Sequence, residues 1–487
     1  MIVSGLFALW VAIIGFFSYA YINNLILAQD IEKIKIFSWF GVFSFIFTIF
    51  SWYFLRKEFL CPYIFFLAIG YMFMYGQCFL WAFDIPFQYK NLLLRNVHSD
   101  IFIAQAFSIL CLLIFHLGAL LASRKPLNPN ALPAKLTDTD KTEDIIKSLK
   151  IAGIVLFFIS VVPFFADLIS TISVSMRVGY KNLFYIQDSA LDNFYDIVKS
   201  FFVPSCFFIF IGYNKNKIIR ILFFSLMVIL FLVTFYYIGG RSASMLLIMI
   251  SLFLWHYFVS PLKGAKIAVL AVIILTVLAL ASIVAAVRNV QDKTFSDFIT
   301  AFNELDDNPV IRVLGECGWS LTVSLEMIKR TSVQFPFRFG SSYLYSLTTI
   351  IPNLGLWPIH PATVNANLSN WLNGILQLGY GPGFSPAGEA YLNFGWFGLI
   401  MLFFEGMLAG SYFSLVDKIY IKINPAVIAF VTVTLYFITF PFNRSSLVVP
   451  VRAIFFTILP LYIFYKLIYY TIVRRNKRSK SFVKNSQ

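Results

Sequence analysis

Charge is scarce in this sequence: Asp, Glu, Lys and Arg make up only 13% of its 487 residues, while 59% are hydrophobic. Soluble domains carry about twice that charged fraction. No water-soluble fold of this length can hide so much apolar surface, so lipid must be the solvent for most of the chain. Histidine is rarer still, with four residues, and there are five cysteines. Cys61, Cys78, Cys111 and Cys206 lie in apolar stretches and only Cys317 in a polar one; none has zinc-site spacing, and no disulfide framework is readable. A P-loop, a GxGxxG turn after a strand, HExxH and GxSxG are all missing in any usable context. That argues against ATP-driven transport and against a cytoplasmic nucleotide-sugar enzyme. Acidic residues number 23 against 38 basic ones, a net charge of +15. The basic residues fall mainly in short loops and at the C-terminus, where they set topology and meet anionic lipid, so the surplus does not indicate nucleic acid.

What is abundant is apolar length. Stretches of about 20 hydrophobic residues are long enough to span a bilayer as helices. About twelve occur, centred near Ala12, Phe45, Gly70, Leu110, Phe158, Phe207, Val228, Ile250, Ile274, Met401, Val433 and Phe455. The first has no basic run before it and no small-residue cleavage site after it, and reads as a retained span. The expected fold class is therefore all-α: a polytopic transmembrane helix bundle with a long, structured, helical outer loop. Residues 1–287 hold spans one to nine, 288–393 form the large outer loop, 394–472 hold spans ten to twelve, and 473–487 are a basic tail.

Orientation follows from Lys and Arg. The tail with Arg474, Arg475, Lys477, Arg478, Lys480 and Lys484 is expected inside, and alternation then places the other short basic loops on the same side. Both termini become cytoplasmic. The segment from Ser123 to Lys150, with Pro126, Pro129 and Pro133, reads as a cytoplasmic linker. The outer face receives a medium loop from about Thr171 to Ile197, a tight turn at Gly239–Ser244, the long 288–393 segment and a turn at Pro441–Arg452. In the long segment, Asn308-Pro309 can start a helix. The runs Val310–Arg330, Ser341–Ile351 and Asn365–Leu378 read as helices lying at the membrane–water interface.

The residues that suggest chemistry gather on that face. Gly239-Gly240-Arg241-Ser242-Ala243-Ser244 joins a tight turn, a helix N-terminus that Ser242 or Ser244 can cap, and a guanidinium suited to phosphate; the bland alternative is a capped turn with Arg241 snorkelling to headgroups. Asn443-Arg444-Ser445-Ser446 offers the same chemistry, or an interfacial anchor. Arg177, Tyr180 and Lys181, with Tyr185 nearby, suit a sugar phosphate, because the ring covers a sugar face while the cations hold the anion; the alternative is a plain solvated loop. Arg288, Arg312, Lys329, Arg330 and Arg338 are further cations. Glu304-Leu305-Asp306-Asp307 supplies oxygen ligands but lacks EF-hand spacing and suits a solvated turn better, so no metal is expected.

Gly379 to Gly395 is the sharpest stretch, with four glycines and two prolines ahead of Glu389. At the membrane boundary Glu389 is a candidate general base, or simply an acid complementing a helix dipole. His360, between two prolines, is a second candidate for proton transfer, or, as a lone loop histidine more often is, a residue with no part in the chemistry. Glu405 and His116 fall inside spans, where ionisable groups are functional candidates by default.

Taken together, Gly239-Gly240-Arg241-Ser242, the long outer loop after the ninth span, and Ser385-Pro386-Ala387-Gly388-Glu389-Ala390-Tyr391-Leu392-Asn393-Phe394-Gly395 resemble the Wzy-type O-antigen and capsule repeat-unit polymerases. One departure is that the Arg-x10-Gly pattern of some members is not matched at Arg177 or Arg288, and Arg330 to Gly340 is one residue short. The resemblance implies a GT-C-like fold of the O-antigen polymerase–ligase type in the bacterial inner membrane, with a periplasmic active site and no cofactor. It implies a glycosyltransferase that joins undecaprenyl-diphosphate-linked oligosaccharide units into O-antigen or capsular polysaccharide. As partners it implies that lipid-linked glycan and membrane lipid and leaves room for a chain-length-regulating co-polymerase, with no nucleic acid. Arg241, Arg444, Arg177 and Arg288, with Tyr180, are then the candidates for binding the diphosphate-linked sugar, and Glu389 and His360 for catalysis. An O-antigen ligase acting on lipid A core is the nearest alternative; a flippase or secondary transporter is the other, for which Glu405 is the argument.

Overall fold

The computed structural model describes residues 2–124, 139–180, 190–305, 307–351, 353, 356–377 and 382–485. Among them are twelve helices long and apolar enough to cross a membrane: Ile2–Ile22, Asp30–Arg56, Pro62–Ala82, His98–Ala122, Lys141–Val178, Phe194–Gly212, Lys217–Ile238, Arg241–Phe258, Ala265–Val287, Pro386–Phe413, Ala426–Arg444 and Val448–Lys477. Each apolar centre read from the sequence falls in one of them. Helices close every backbone hydrogen bond within one segment, which is what lipid demands. The described residues hold no sheet, only an isolated bridge between Thr331 and Phe335. The protein is a multi-pass, all-helical membrane protein.

Three elements differ from the sequence reading. The linker expected up to Lys150 is helical from Thr139, because the fifth long helix runs Thr139–Val178. Glu143 and Lys147 stand four residues apart in its first turns, a stabilising order, and Thr142 donates to the Ile423 carbonyl at 2.9 Å. Pro126, Pro129 and Pro133 lie outside the described residues, as do Lys181, Tyr185, Asp306 and Gly379–Gly381. The sixth span is two helices, Ala190–Ser200 and Phe202–Gly212; Pro204 has no N–H to give the Ser200 carbonyl, so the helix breaks there. Pro441 does not end the eleventh span, which continues to Arg444.

Packing is closest between the His98–Ala122 and Gly398–Phe413 helices. A Cβ added at Gly118, Gly406 or Gly410 would strike a backbone carbonyl of the facing helix, at Phe403, Phe115 and Ala119 respectively. Small residues are what allow membrane helices to approach this closely. His116, on the same helix, is fully engaged: its ring nitrogens meet Ser51 Oγ and the Tyr63 hydroxyl, each at 2.8 Å. At one end of the bundle Arg56 donates to the carbonyls of Arg124, Ser414 (2.8 Å) and Val416 (3.2 Å), tying its own helix end to those of His98–Ala122 and Gly398–Phe413.

The chain between the Ala265–Val287 and Pro386–Phe413 helices forms a cap of short helices, of which Pro309–Gly318 packs on Pro62–Ala82 and Leu321–Arg330 on His98–Ala122. It contains the helices Phe295–Asn303, Pro309–Gly318, Leu321–Arg330, Ser341–Thr348, Pro361–Asn365 and Leu368–Leu376. Their starts are written locally. Asn308 accepts the Val310 N–H at 3.0 Å with Pro309 at the first helical position. Ser385 likewise accepts from Gly388 at 3.0 Å ahead of Pro386, the expected division of labour at a helix N-terminus. The cap has its own apolar core of Val323, Met327, Leu368, Leu372, Phe384 and Leu392.

Gly406→Ala therefore puts a methyl against the Phe115 carbonyl and should cost about 1–3 kcal/mol. Thermal unfolding in detergent should show a lowered midpoint for Gly406→Ala and none for Gly15→Ala, where nothing lies within 4 Å. Equal midpoints would mean that the two helices are not locked at this contact.

Candidate functional site

The Lys217–Val233 helix ends in a wider π-helical turn, Thr234–Ile238, closed by Gly239 at φ 82°. Such turns often mark functional positions. The Thr234 carbonyl accepts the N–H groups of both Gly239 (3.1 Å) and Gly240 (3.0 Å). Ser244 does not cap the next helix, as the sequence suggested. Its hydroxyl returns to the Gly240 carbonyl and to Thr234 Oγ1, each at 2.6 Å. The Arg241–Phe258 helix thus starts behind Gly240 with no side-chain cap.

Gly239 is needed for close approach as well as for its backbone angle. A Cβ there would sit 2.7 Å from Arg288 Cβ. Tyr180 reaches the same place from the end of the Thr139–Val178 helix, its N–H donating to the Arg288 carbonyl at 3.0 Å. The Arg288 guanidinium lies over the Tyr180 ring, 4.9 Å from the centroid. Three helix ends therefore meet at Arg288.

The cap contributes the opposite wall. Arg312 and Glu316 stand one turn apart on Pro309–Gly318 and share a face. Glu316 takes a two-pronged fork from Arg241, at 2.8 and 2.9 Å, the strongest geometry for this pair of groups. Lys90 Nζ is 3.9 Å from the same carboxylate, and Arg312 lies 4.1 Å from the centroid of Tyr89. The short 83–97 loop that carries Tyr89 and Lys90 is pinned by fully buried Gln77, which donates to the carbonyls of Lys90 (2.8 Å) and Gly315 (2.9 Å) and accepts from Leu92 at 3.0 Å. Asp307 accepts the N–H groups of Gln88 and Tyr89, at 3.1 and 3.0 Å. That makes it an anchor for the loop, and no group of three or more metal-ligating side chains occurs among the described residues.

Arg444 completes the set from the end of the eleventh span. Its guanidinium lies over the Phe73 ring at 5.8 Å, and its carbonyl accepts from Phe384 at 2.9 Å. Gly383, at φ 80°, lets the chain pass here, since a Cβ would come within 2.9 Å of the Arg444 carbonyl.

These charges feel one another. Burial, then Arg241, lower the Arg288 pKa; Glu316 and Tyr180 oppose them, and Arg444 adds to the lowering. Lys90 is lowered by burial, against Glu316 and with Arg444, Arg241 and Arg288. Burial alone would raise the Glu316 pKa, but Arg241, its hydrogen bonds, Lys90 and Arg288 outweigh that and hold it at about 2. Two buried guanidinium nitrogens, Arg288 Nε and Arg312 Nε, have no hydrogen-bond partner. Arg241 and Lys90 meet one carboxylate, Arg288, Arg312 and Arg444 stand beside them, and the unused N–H donors and uncapped helix start of this cluster suit an anion of more than one charge.

Of the sequence candidates, Arg241, Arg288, Arg444 and Tyr180 come together here. Arg177 is exposed on the last turn of its helix. Glu389 sits in a separate buried network: its two oxygens accept from Ser342 Oγ and the Leu447 N–H, both at 2.7 Å, while Asn393 donates to Ser342 at 2.8 Å. His360 caps Pro361–Asn365 through Nδ1, which accepts from Ala362 at 3.2 Å, and its Nε2 meets the Ile351 carbonyl at 2.9 Å. Tyr89, Lys90 and Glu316 were not singled out from the sequence, and Arg312 was only one cation of the loop. Their one legible signal was the i, i+4 spacing of Arg312 and Glu316 on a helix.

A family model described as O-antigen polysaccharide polymerase Wzy matches residues 4–472, nearly the whole chain. Neither a curated protein nor a solved structure gives a significant match.

The depressed Glu316 pKa has a definite sign. Its ion pair stabilises the fold fully above the ordinary carboxylate value of 4.5, and that contribution is lost as pH falls toward about 2. The gap in thermal midpoint between wild type and Glu316→Gln should be constant above about pH 5 and close below it. A gap that persists unchanged to about pH 2 would mean that the carboxylate charge is not what matters.

Proposed function

We propose, for a chain that belongs to the O-antigen polysaccharide polymerase Wzy family, that its O-antigen repeat units arrive on undecaprenyl diphosphate and that the Arg288–Arg312–Arg444 pocket receives that diphosphate. The observation that carries this reading is the cluster itself: five cations, one carboxylate, and two buried guanidinium nitrogens with no hydrogen-bond partner. The pocket lies where spanning helices end, so a polyprenyl tail can stay in lipid while its headgroup is held. The acceptor hydroxyl of the incoming unit attacks the anomeric carbon of the growing glycan. A new C–O bond forms, the bond to the diphosphate breaks with its electron pair going to the diphosphate oxygen, and the acceptor's hydroxyl proton passes to that departing diphosphate. Charge grows on that oxygen, where preplaced cations stabilise it most. This needs neither nucleotide nor metal.

The capped face is proposed as periplasmic, because the tail and the other short basic loops belong to the opposite face under the positive-inside rule. Tyr180, stacked with Arg288, suits the sugar next to the diphosphate. Glu389 enters the proposal as a positioning residue. Its grip on the Leu447 N–H fixes the turn that follows Arg444. His360, with both nitrogens engaged, and exposed Arg177 lie outside the proposed chemistry.

Arg288→Ala/Arg312→Ala should abolish long O-antigen chains on a gel while protein level is kept, leaving lipid A core with a single repeat unit. Long chains at wild-type abundance would remove the pocket from the reaction; core with no unit at all would point to ligation or flipping. Glu389→Gln separates the two roles of that residue. Removing a general base costs about 10²–10⁴-fold in rate, so a smaller loss supports positioning and a loss in that range restores Glu389 as the base.

A further inference from the structure

Arg241 differs from the other cations of the pocket in how much of it is already committed. Both terminal nitrogens donate to Glu316, and Nη1 also reaches the Ala281 carbonyl at 3.3 Å. The two side chains are only 15% and 11% exposed. One contact set therefore joins the start of Arg241–Phe258, the C-terminal third of Ala265–Val287 and the face of Pro309–Gly318. Arg288 and Arg312 show the reverse. Each is stacked on a tyrosine, each has a buried Nε without a partner, and neither side chain forms an ion pair among the described residues.

Electrostatics explains why such a division is needed. Arg241, Arg288, Lys90 and Arg444 all act on one another, and like charges in a site of low dielectric repel strongly. Glu316 is the carboxylate that both Arg241 and Lys90 meet. Without it the cations would spread, and the spacing that suits a diphosphate would be lost even though the pocket would become more positive.

We infer that Glu316 is a positioning residue of the polymerase: it locks Arg241 as a strut between three helices and draws in Lys90, so that Arg288 and Arg312 are the guanidiniums that grip the leaving diphosphate. This rests on the reading of the pocket as the diphosphate site. It makes a distinctive forecast. Losing the carboxylate removes order without removing attraction, so affinity and turnover should part company. Binding energy that does not align the reacting groups does not raise turnover, whereas lost alignment lowers it.

The test uses the full-length protein in detergent, with undecaprenyl diphosphate as the binding probe and repeat-unit polymerisation as the rate. For Glu316→Gln, probe affinity should stay within about threefold of wild type or tighten, while turnover falls at least tenfold or so. Arg241→Glu should be inactive, and the exchange Arg241→Glu/Glu316→Arg should recover part of the turnover by rebuilding the strut. Full turnover in Glu316→Gln overturns the inference. So does a proportionate loss of affinity and turnover, or an exchange variant no better than Arg241→Glu, which would mean that Arg241 touches the diphosphate itself. Arg288→Ala/Arg312→Ala keeps the two readings apart. Unchanged probe affinity in that variant would sink the diphosphate pocket as a whole, while a loss of roughly tenfold or more upholds it whatever Glu316 does.

Discussion

Repulsion among like charges is the constraint around which the capped end of this protein is organised. Lys90, Arg241, Arg288, Arg312 and Arg444 would not stay together at the edge of an apolar slab unless something offset them. Glu316 does so from a helix of the cap, held ionised by the cations it serves. Breaking a buried pair by removing one partner commonly costs about 3–5 kcal/mol, because the other charge is left uncompensated. Under the proposed function, the arrangement that is expensive to leave unpaired would serve an anionic substrate, whose charge would complete what Glu316 begins.

The scaffold keeps these groups at fixed separations by means that involve no charge. Gln77 fastens the Tyr89–Lys90 loop to the Pro309–Gly318 helix. Gly239 and Gly383 let backbone pass against Arg288 and Arg444 where any Cβ would intrude. Glu389 and Asn393 bind the cap to the turn after Arg444 and to the Ser342 hydroxyl. Farther down, the glycine-lined contact between the His98–Ala122 and Gly398–Phe413 helices gives the cap a rigid base. If the cluster receives the proposed diphosphate, a site preorganised in this way would lose little by reorganising as charge shifts to the leaving group.

Much of the fold was legible because lipid imposes a simple rule. A helix must be apolar for about 20 residues, so the twelve centres from Ala12 to Phe455 could be read by length alone. Helix starts such as Asn308-Pro309 and Ser385-Pro386 were also readable, since capping is local. The errors came where local signals competed. Prolines near residue 130 suggested a linker that becomes helix at Thr139, and Pro441 suggested an end that the helix passes through. The site was half legible. Arg241, Arg288, Arg444 and Tyr180 stood out by chemistry, but their counterpart Glu316 is 75 residues from Arg241, and Gln77 is 238 residues from Gly315. No periodicity encodes such meetings. Glu389 stood out for a real reason, its Gly-rich approach, yet the carboxylate turns inward to Ser342 and Leu447 instead of toward the cations.

The most direct measurement is a cryo-electron microscopy structure of the protein in lipid nanodiscs with undecaprenyl diphosphate bound. The account predicts diphosphate density within about 3 Å of guanidinium nitrogens of Arg288 and Arg312, with the Arg241–Glu316 fork intact and the polyprenyl tail entering lipid. Density beside Arg177 or His360, or on the face that bears Arg56, would contradict it.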